Sequence, residues 1–432
     1  MKKQLTKWYD SLHDEDDARV CKDITDEACR YVPQNYFIIL VSQLSTKLAD
    51  ILANGKTVLP WVLNHAGVPD FFLGLLVPIR ESGALLPQLI LGAWVRNRPQ
   101  RKGLFVLGSL VQGVCVAMMA LVAYLLSGIM AGIAIIMLLL AFSIARALCS
   151  LSSKDVLGKC IPKTRRGSLG GYAGSLAGFM GVLIGAGYGF ELFSDDSSLL
   201  MLLLGAAIAW CFASFLFSRV EEYRGAEDGG ADGVKAALDS LSLLRTDRSF
   251  RDFVIARCCL MGSGLAAPYC VLAVNAQASA SWLVVNVGTF MVAASAASFV
   301  SGFVWGRWVD RSSRKVMIAV SLSLAVLLTC AAILVSLNLA YGSVIFLLVF
   351  FVLMLIHQGV RLSRKTYLVD LGSGAKRTDY VAVSNTLVGV VLLLVGLLSA
   401  IVGQFAMLAV FVVFAVMAGV AGMFSYRLPE VQ

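Results

Sequence analysis

The chain has 432 residues, 58% hydrophobic and only 15% charged, with a mean hydropathy of +0.80. A water-soluble chain of this length would present far more polar surface, and apolar runs of roughly 20 residues, the length a helix needs to cross a bilayer core, recur along almost all of it. The fold class expected is an all-α integral membrane protein; the short alternating segments of a membrane β-barrel do not appear.

The first 35 residues are too polar for the apolar core of a cleavable signal and read as a cytoplasmic leader, 1–35. Leu5, Trp8, Tyr9 and Leu12 share one helical face in it, and Val20, Ile24, Ala28 and Tyr31 share another. Of the ten cysteines, most lie in apolar segments as small core residues; Cys21 and Cys29 stand in the leader without a metal-type partner set, so no metal is expected.

Twelve spans are predicted, at about 36–63, 70–95, 103–127, 130–152, 169–192, 198–218, 252–275, 283–306, 315–338, 343–363, 380–402 and 405–426. They form two groups of six, 36–218 and 252–427, with a short tail at 428–432. The linker between them, 219–251, is Gly-rich and acidic at GAEDGGADG, with a short surface helix suggested by Val234, Ala237, Leu238 and Leu241. Lys and Arg gather in the connections 96–102, 153–168, 219–251, 307–314 and 364–379, whereas the connections of the opposite side hold none. This asymmetry predicts both termini in the cytoplasm; the membrane expected is a plasma membrane of the bacterial inner-membrane kind. The net charge of +9 is then a topology signal, and no nucleic-acid partner is implied.

The two halves repeat one another. GAWVRNRPQRK at 92–102 aligns with GRWVDRSSRK at 306–315 once Arg96 is treated as an insertion. Gly92, Asn97, Arg98, Arg101 and Lys102 then match Gly306, Asp310, Arg311, Arg314 and Lys315. Further along, Lys154 matches Lys365, Arg165–Arg166 match Lys376–Arg377, Leu176 matches Leu387, and Gly178 matches Gly389. Duplicated six-span units are a signature of secondary transporters.

On these residues the chain resembles the major facilitator superfamily from about Tyr36 to Tyr426. GRWVDRSSRK fits the family's motif A; the first copy departs in Asn97, Arg96 and Pro99. IPKTRRGSLGG at 161–171 looks like the family's loop between helices four and five. The resemblance implies two pseudo-symmetric six-helix bundles, alternating access around a mid-membrane site, and a gating role for the motif A residues. GFMGVLIGAGYG at 178–189 is a partial echo of motif C, associated with exporters, with Ala186 where the motif has proline. This leans toward export, with proton-symport import as the alternative. Arg146 lies toward the cytoplasmic loop from the place of the family's motif B arginine, and that role is not carried over.

Gln43, Lys47, Asp50 and Asn54 are spaced by four, three and four residues, which is one face of a helix. From Tyr36, Lys47 lies about 16 Å and Asp50 about 21 Å into the span, and Arg80 and Glu81 lie about 15 Å from the outer end of the next. Each charge turned to lipid costs roughly 2.5–3.5 kcal/mol, so these groups face a cavity or one another. Two readings stand: ion pairs that lock the first two spans, Lys47–Asp50 with Arg80–Glu81 or crossed; or a pathway for substrate and proton. His357 and Arg361, one turn apart in the tenth span, are further pathway candidates. Together with Lys56 these groups lean positive, which points to a small anionic or amphipathic solute.

Asp50 and Glu81 are the protonatable groups, so a proton gradient is the energy source expected, with no cofactor. No P-loop pattern occurs, which argues against direct ATP drive. With three histidines and no His–acid or metal-ligand cluster, no enzyme activity is expected. A membrane-embedded enzyme, or a transport-inactive scaffold or sensor, stays as the alternative of another class. The expected partners are the solute and the bilayer, around a monomer.

In a cysteine-depleted variant, single cysteines at 66–68 or 195–197 are expected to react from outside the cell with an impermeant thiol reagent. Cysteines at 224–230 are expected to react only after the membrane is opened. Labelling of 224–230 in intact cells would overturn both the orientation and the span count.

Overall fold

The computed structural model describes residues 29–88, 91, 94–95, 98–190, 198–224, 242–276, 285–309, 311–337, 342–371 and 375–431. The leader faces up to residue 28, the linker helix near 234–241, and Gly92, Asn97 and Asp310 lie outside the described residues.

Among the described residues every regular element is helical. The first expected span is two helices, α1 (Val32–Leu52) and α2 (Val58–His65), and the second is α3 (Asp70–Leu85). The N-terminal half continues with α4 (Lys102–Leu125), α5 (Gly128–Cys160), α6 (Lys163–Gly189) and α7 (Ser198–Ser218). A single turn, α8 (Leu243–Thr246), precedes a seventh span made of α9 (Arg248–Cys259), α10 (Gly262–Leu265) and α11 (Ala267–Ala276). The remaining spans are α12 (Val287–Val309), α13 (Ser313–Leu337), α14 (Gly342–Leu371), α15 (Ala375–Phe405) and α16 (Met407–Arg427).

Ten of the twelve expected spans are long apolar helices by length and composition. The other two are the broken α1–α2 and the 16-residue α3, which are the spans that carry the charges. One unbroken helix over 36–63 is therefore corrected. The break falls at Asn54-Gly55, where the Asn54 side chain accepts from the Lys56 amide at 2.8 Å, a local bond that competes with the helix ladder. The seventh span begins at Arg248, earlier than expected, because Asp247 caps it by accepting from the Phe250 amide at 2.9 Å.

Within the first half, α4 packs on α5 and α7, and α1 on α6 and α7; within the second, α13 packs on α14 and α16. The halves meet along α3–α15 and α6–α12. Small residues let them approach at the end of the bundle away from both termini. A Cβ on Gly74 would lie 2.8 Å from Ala400 Cβ, and one on Gly288 would lie 2.3 Å from the Gly189 nitrogen. Toward the other end, which carries the basic loops, Gly170, Gly171, Gly178, Gly302 and Gly306 face open space. The halves are closed on each other at one end, and a cavity lined from both opens toward the basic end.

Two glutamates fasten the basic end in related ways. The wholly buried Glu222 carboxylate, just past α7, accepts from the amides of Arg101 (2.8 Å) and Lys102 (2.7 Å), and from Lys159 Nζ at 3.0 Å. It caps the positive start of α4. Arg101, which also pairs with Asp155 and donates to Val95, is held in the same corner. In the second half Glu430, just past α16, accepts from Ser312 Oγ at 2.8 Å, and Ser312 caps α13 by accepting from the Lys315 amide at 3.1 Å. Arg314 donates to the Tyr426 carbonyl at 2.7 Å.

Glu222→Ala strands Lys159 and two helix amides in a buried corner. It is expected to destabilise the protein by about 3–5 kcal/mol in detergent denaturation, against about 1 kcal/mol for Glu430→Ala. Equal small losses from both substitutions would refute the anchoring role of Glu222.

Candidate functional site

The first span is interrupted between Leu52 and Val58, where its freed carbonyls need donors. Arg80 supplies one: its Nη1 donates to the Ala53 carbonyl at 2.7 Å, and its Nη2 pairs with Asp50 at 2.9 Å. The Arg80 guanidinium also lies over the Phe142 ring at 5.5 Å, and its side chain is only 9% exposed. Arg146, from α5, pairs with the same Asp50 oxygen. Of the ion pairs expected from sequence, the crossed one forms: Asp50 meets Arg80, not Lys47. Lys47 instead donates to the Gly170 carbonyl of α6 at 2.8 Å. Gln43 is half-buried on the same face, and Asn54 holds the break.

Glu81, next to Arg80, has no ion pair within 4 Å among the described residues and is exposed within the bundle. It lies in the field of Lys56, Arg146, Arg80 and Arg361.

Lys56, from the break, crosses to the other half, where its Nζ lies 2.7 Å from His357 Nε2. His357 Nδ1 lies 2.9 Å from Ser263 Oγ, which itself donates to the Leu260 carbonyl at 2.8 Å. With the Ser263 hydrogen spent on that carbonyl, Oγ accepts from Nδ1–H and leaves Nε2 as acceptor for the lysine. His357 is therefore neutral with its proton on Nδ1. Gly264 leaves room for the arrangement: a Cβ there would lie 3.2 Å from the imidazole and 3.5 Å from Lys56 Nζ.

Below this link, toward the basic end, a cavity of about 660 Å³ opens between the halves. Its charged lining is Lys154, Arg257, Arg361, Arg364 and Lys365, with Gln358, Asn385, Ser298 and Ser301 among its polar groups and no carboxylate among the described residues. His357, Arg361, Arg364 and Lys365 stand at i, i+4, i+7 and i+8, one stripe of α14.

The site residues inferred from sequence thus divide. Asp50, Arg80, Glu81 and Lys47 gather at the break of the first span, His357 joins them through Lys56, and Arg361 lines the cavity. The motif A residues lie apart, at the basic end: Arg98 over the Trp94 ring at 5.5 Å, Arg101 and Lys102 on the Glu222 corner, Arg314 and Lys315 on the Glu430 corner. Arg311 follows Asp310 in the loop before α13, and Gly306 faces open space. Sequence reasoning missed Arg146, Ser263, Arg257, Arg364 and the pair Lys154 and Lys365 as site residues. The repeat spacing that aligns Lys154 with Lys365 was the available signal for that pair.

A family model described as Major Facilitator Superfamily matches residues 56–360. The chain belongs to the major facilitator superfamily. No curated protein sequence matches it. Among solved structures it is similar to a D-xylose–proton symporter, at 14% identity and a TM-score of 0.70 over 91% of this chain and 98% of that one. It is also similar to the nucleoside transporter NupG, at 15% identity and a TM-score of 0.66 over 90% and 98%. An inward-open form of the xylose transporter XylE from E. coli matches at 12% identity and a TM-score of 0.67 over 93% and 97%. At these identities the likeness is one of fold. As a member of this superfamily the protein is a multi-pass secondary transporter working by alternating access.

Asp50→Asn leaves Arg80 and Arg146 facing a neutral amide. We expect a loss of about 3–5 kcal/mol of stability, restored in part by adding Arg146→Gln and not by adding Lys47→Met. A stable Asp50→Asn protein that has lost only its response to a pH gradient would return the proton to Asp50.

Proposed function

We propose that the protein moves a small organic anion through this cavity together with protons, with Glu81 as the group that takes the proton. The observation that carries the reading is the cavity wall: among the described residues it has five cationic side chains, several hydrogen-bonding groups and no carboxylate. A neutral sugar or nucleoside would leave those charges without a counter-ion in a poorly hydrated space.

Glu81 suits the proton because its exposed carboxylate is not tied to one partner, whereas Asp50 is held by two arginines. Protonating Glu81 removes negative charge beside Arg361 and makes the cavity more attractive to an anion. By linkage, a bound anion raises the proton affinity of Glu81 to the same degree. Mutual attraction of proton and anion favours co-transport, hence proton-driven import, over the export suggested by the glycines at 178–189. Two of those glycines have a packing role: a Cβ on Gly181 would lie 3.0 Å from Ser295 Oγ, and one on Gly185 would lie 2.9 Å from Met291 Cβ. We place the basic, open end in the cytoplasm, from the distribution of Lys and Arg.

Glu81→Gln in proteoliposomes is expected to abolish anion accumulation driven by an inward pH gradient while exchange at equal pH persists. Gradient-driven accumulation surviving in this variant would move the proton elsewhere. Uptake of xylose, nucleosides or cations with no uptake of any anion would overturn the anion reading itself.

A further inference from the structure

We infer that the transported anion carries at least two negative charges, as a phosphate monoester or a dicarboxylate does. The inference rests on the anion reading above and narrows it by counting charges that cannot be removed. Lysines shed a proton when desolvation demands it, but arginines keep theirs. Five arginines, Arg80, Arg146, Arg257, Arg361 and Arg364, stand on the continuous polar region that runs from the first-span break to the cavity. The carboxylates among them are Asp50 and Glu81. With both ionised, three fixed positive charges have no counter-charge among the described residues, and all three arginines left over line the cavity.

The arginine furthest from water supports a ligand more strongly than the count does. Arg257 is only 7% exposed, and its neighbours are neutral: Nη1 donates to Ser384 Oγ, and Nη2 to Asn385 Oδ1 at 2.8 Å. Its buried Nε–H has no hydrogen-bond partner among the described residues. The charged group that acts on it is another cation: Arg257 sits in the field of Arg364, which in turn feels Arg361 and the acid Glu81. A buried guanidinium held in place by neutral acceptors, beside a second and third guanidinium, is costly unless an anion completes it. Planar forks of this kind match the paired oxygens of phosphate and carboxylate. A single carboxylate has oxygens for one such fork. A ligand with two anionic ends, or a phosphate with three terminal oxygens, engages Arg257 and the Arg361–Arg364 face together. A cavity of about 660 Å³ also fits a compact ligand of that kind, inside the range of roughly 300–1,000 Å³ usual for small-molecule sites.

The test compares ligands of equal size and different charge on the full-length protein. Succinate is paired with succinamate, and glycerol 3-phosphate with its methyl diester, in binding measurements in detergent and competition for uptake in proteoliposomes. At least one dianion is expected to bind about tenfold or more tightly than its monoanionic partner. Arg361→Gln, at an exposed position on the cavity wall, is expected to cut that preference about tenfold while leaving the ligand-free melting temperature unchanged. Monoanions bound as well as dianions would overturn the inference and leave the anion reading standing. Binding of neutral or cationic solutes with none of the anions would overturn both, and so would the absence of binding by every anion in the panel. An unchanged dianion preference in well-folded Arg361→Gln protein would also overturn the inference.

Discussion

A charge inside a bilayer must find a partner or water, and Asp50 is where this chain meets that demand. Its carboxylate is shared by Arg80 and Arg146, which come from the second and fourth spans. Three helices of the first half are therefore pinned at one depth by one side chain. The same arginine satisfies a backbone carbonyl that the interrupted first span exposes. Broken backbone and buried charge are each expensive in lipid, and here each relieves the other. Without the break Arg80 would have less to bond, and without Arg80 the break would leave an orphaned carbonyl.

The break also serves the contact between halves. By leaving the helix at Ala53 and re-entering it at Val58, the chain presents Lys56 to His357 across the interface. Ser263 holds the far side of the imidazole from beside a second interruption, that of the seventh span. Two irregular segments, one per half, thus meet over a neutral histidine above the cavity. The glycine contacts at the closed end and the open space at the basic end fit the same state. Alternating access requires the Lys56–His357 bond to break when the closed end opens. A protonated His357 has no lone pair to offer the lysine, so the charge state of this ring and the closure of that end are linked.

Much of this was legible in the sequence, for identifiable reasons. Apolar runs of bilayer length show the spans directly, and two repeated segments show the duplication. The spacing of Gln43, Lys47, Asp50 and Asn54 marks one polar face whatever its partners are. The partners themselves were not legible, because pairing depends on which helices pack side by side. The adjacent lysine, Lys47, turns to Gly170, and the arginine that completes the cluster comes from α5. Arg146 was misplaced because depth was counted from a span ending near 152. The helix continues to Cys160, so Arg146 lies about 21 Å from that end. Arg364 and Lys365 were assigned to a loop for the same reason, although α14 runs to Leu371. A hydropathy window ends where charges begin, whereas a helix lined by a wet cavity does not.

The two halves share a fold and divide the electrostatics unequally. The first half carries both carboxylates of the polar region, Asp50 and Glu81, and uses one of them to neutralise its own arginines. Among the described residues the second half contributes Arg257, Arg361, Arg364 and Lys365 to the cavity lining and no acid. Arg257 rests on neutral acceptors, Ser384 and Asn385, so position is fixed without cancelling charge. Pseudo-symmetry supplies a frame in which the halves can rock, and the asymmetry of charge gives the motion something to act on. The first half places Glu81 there with no ion pair within 4 Å among the described residues, and the second places arginines there, which keep their charge. Between them lies a cavity whose described lining is cationic.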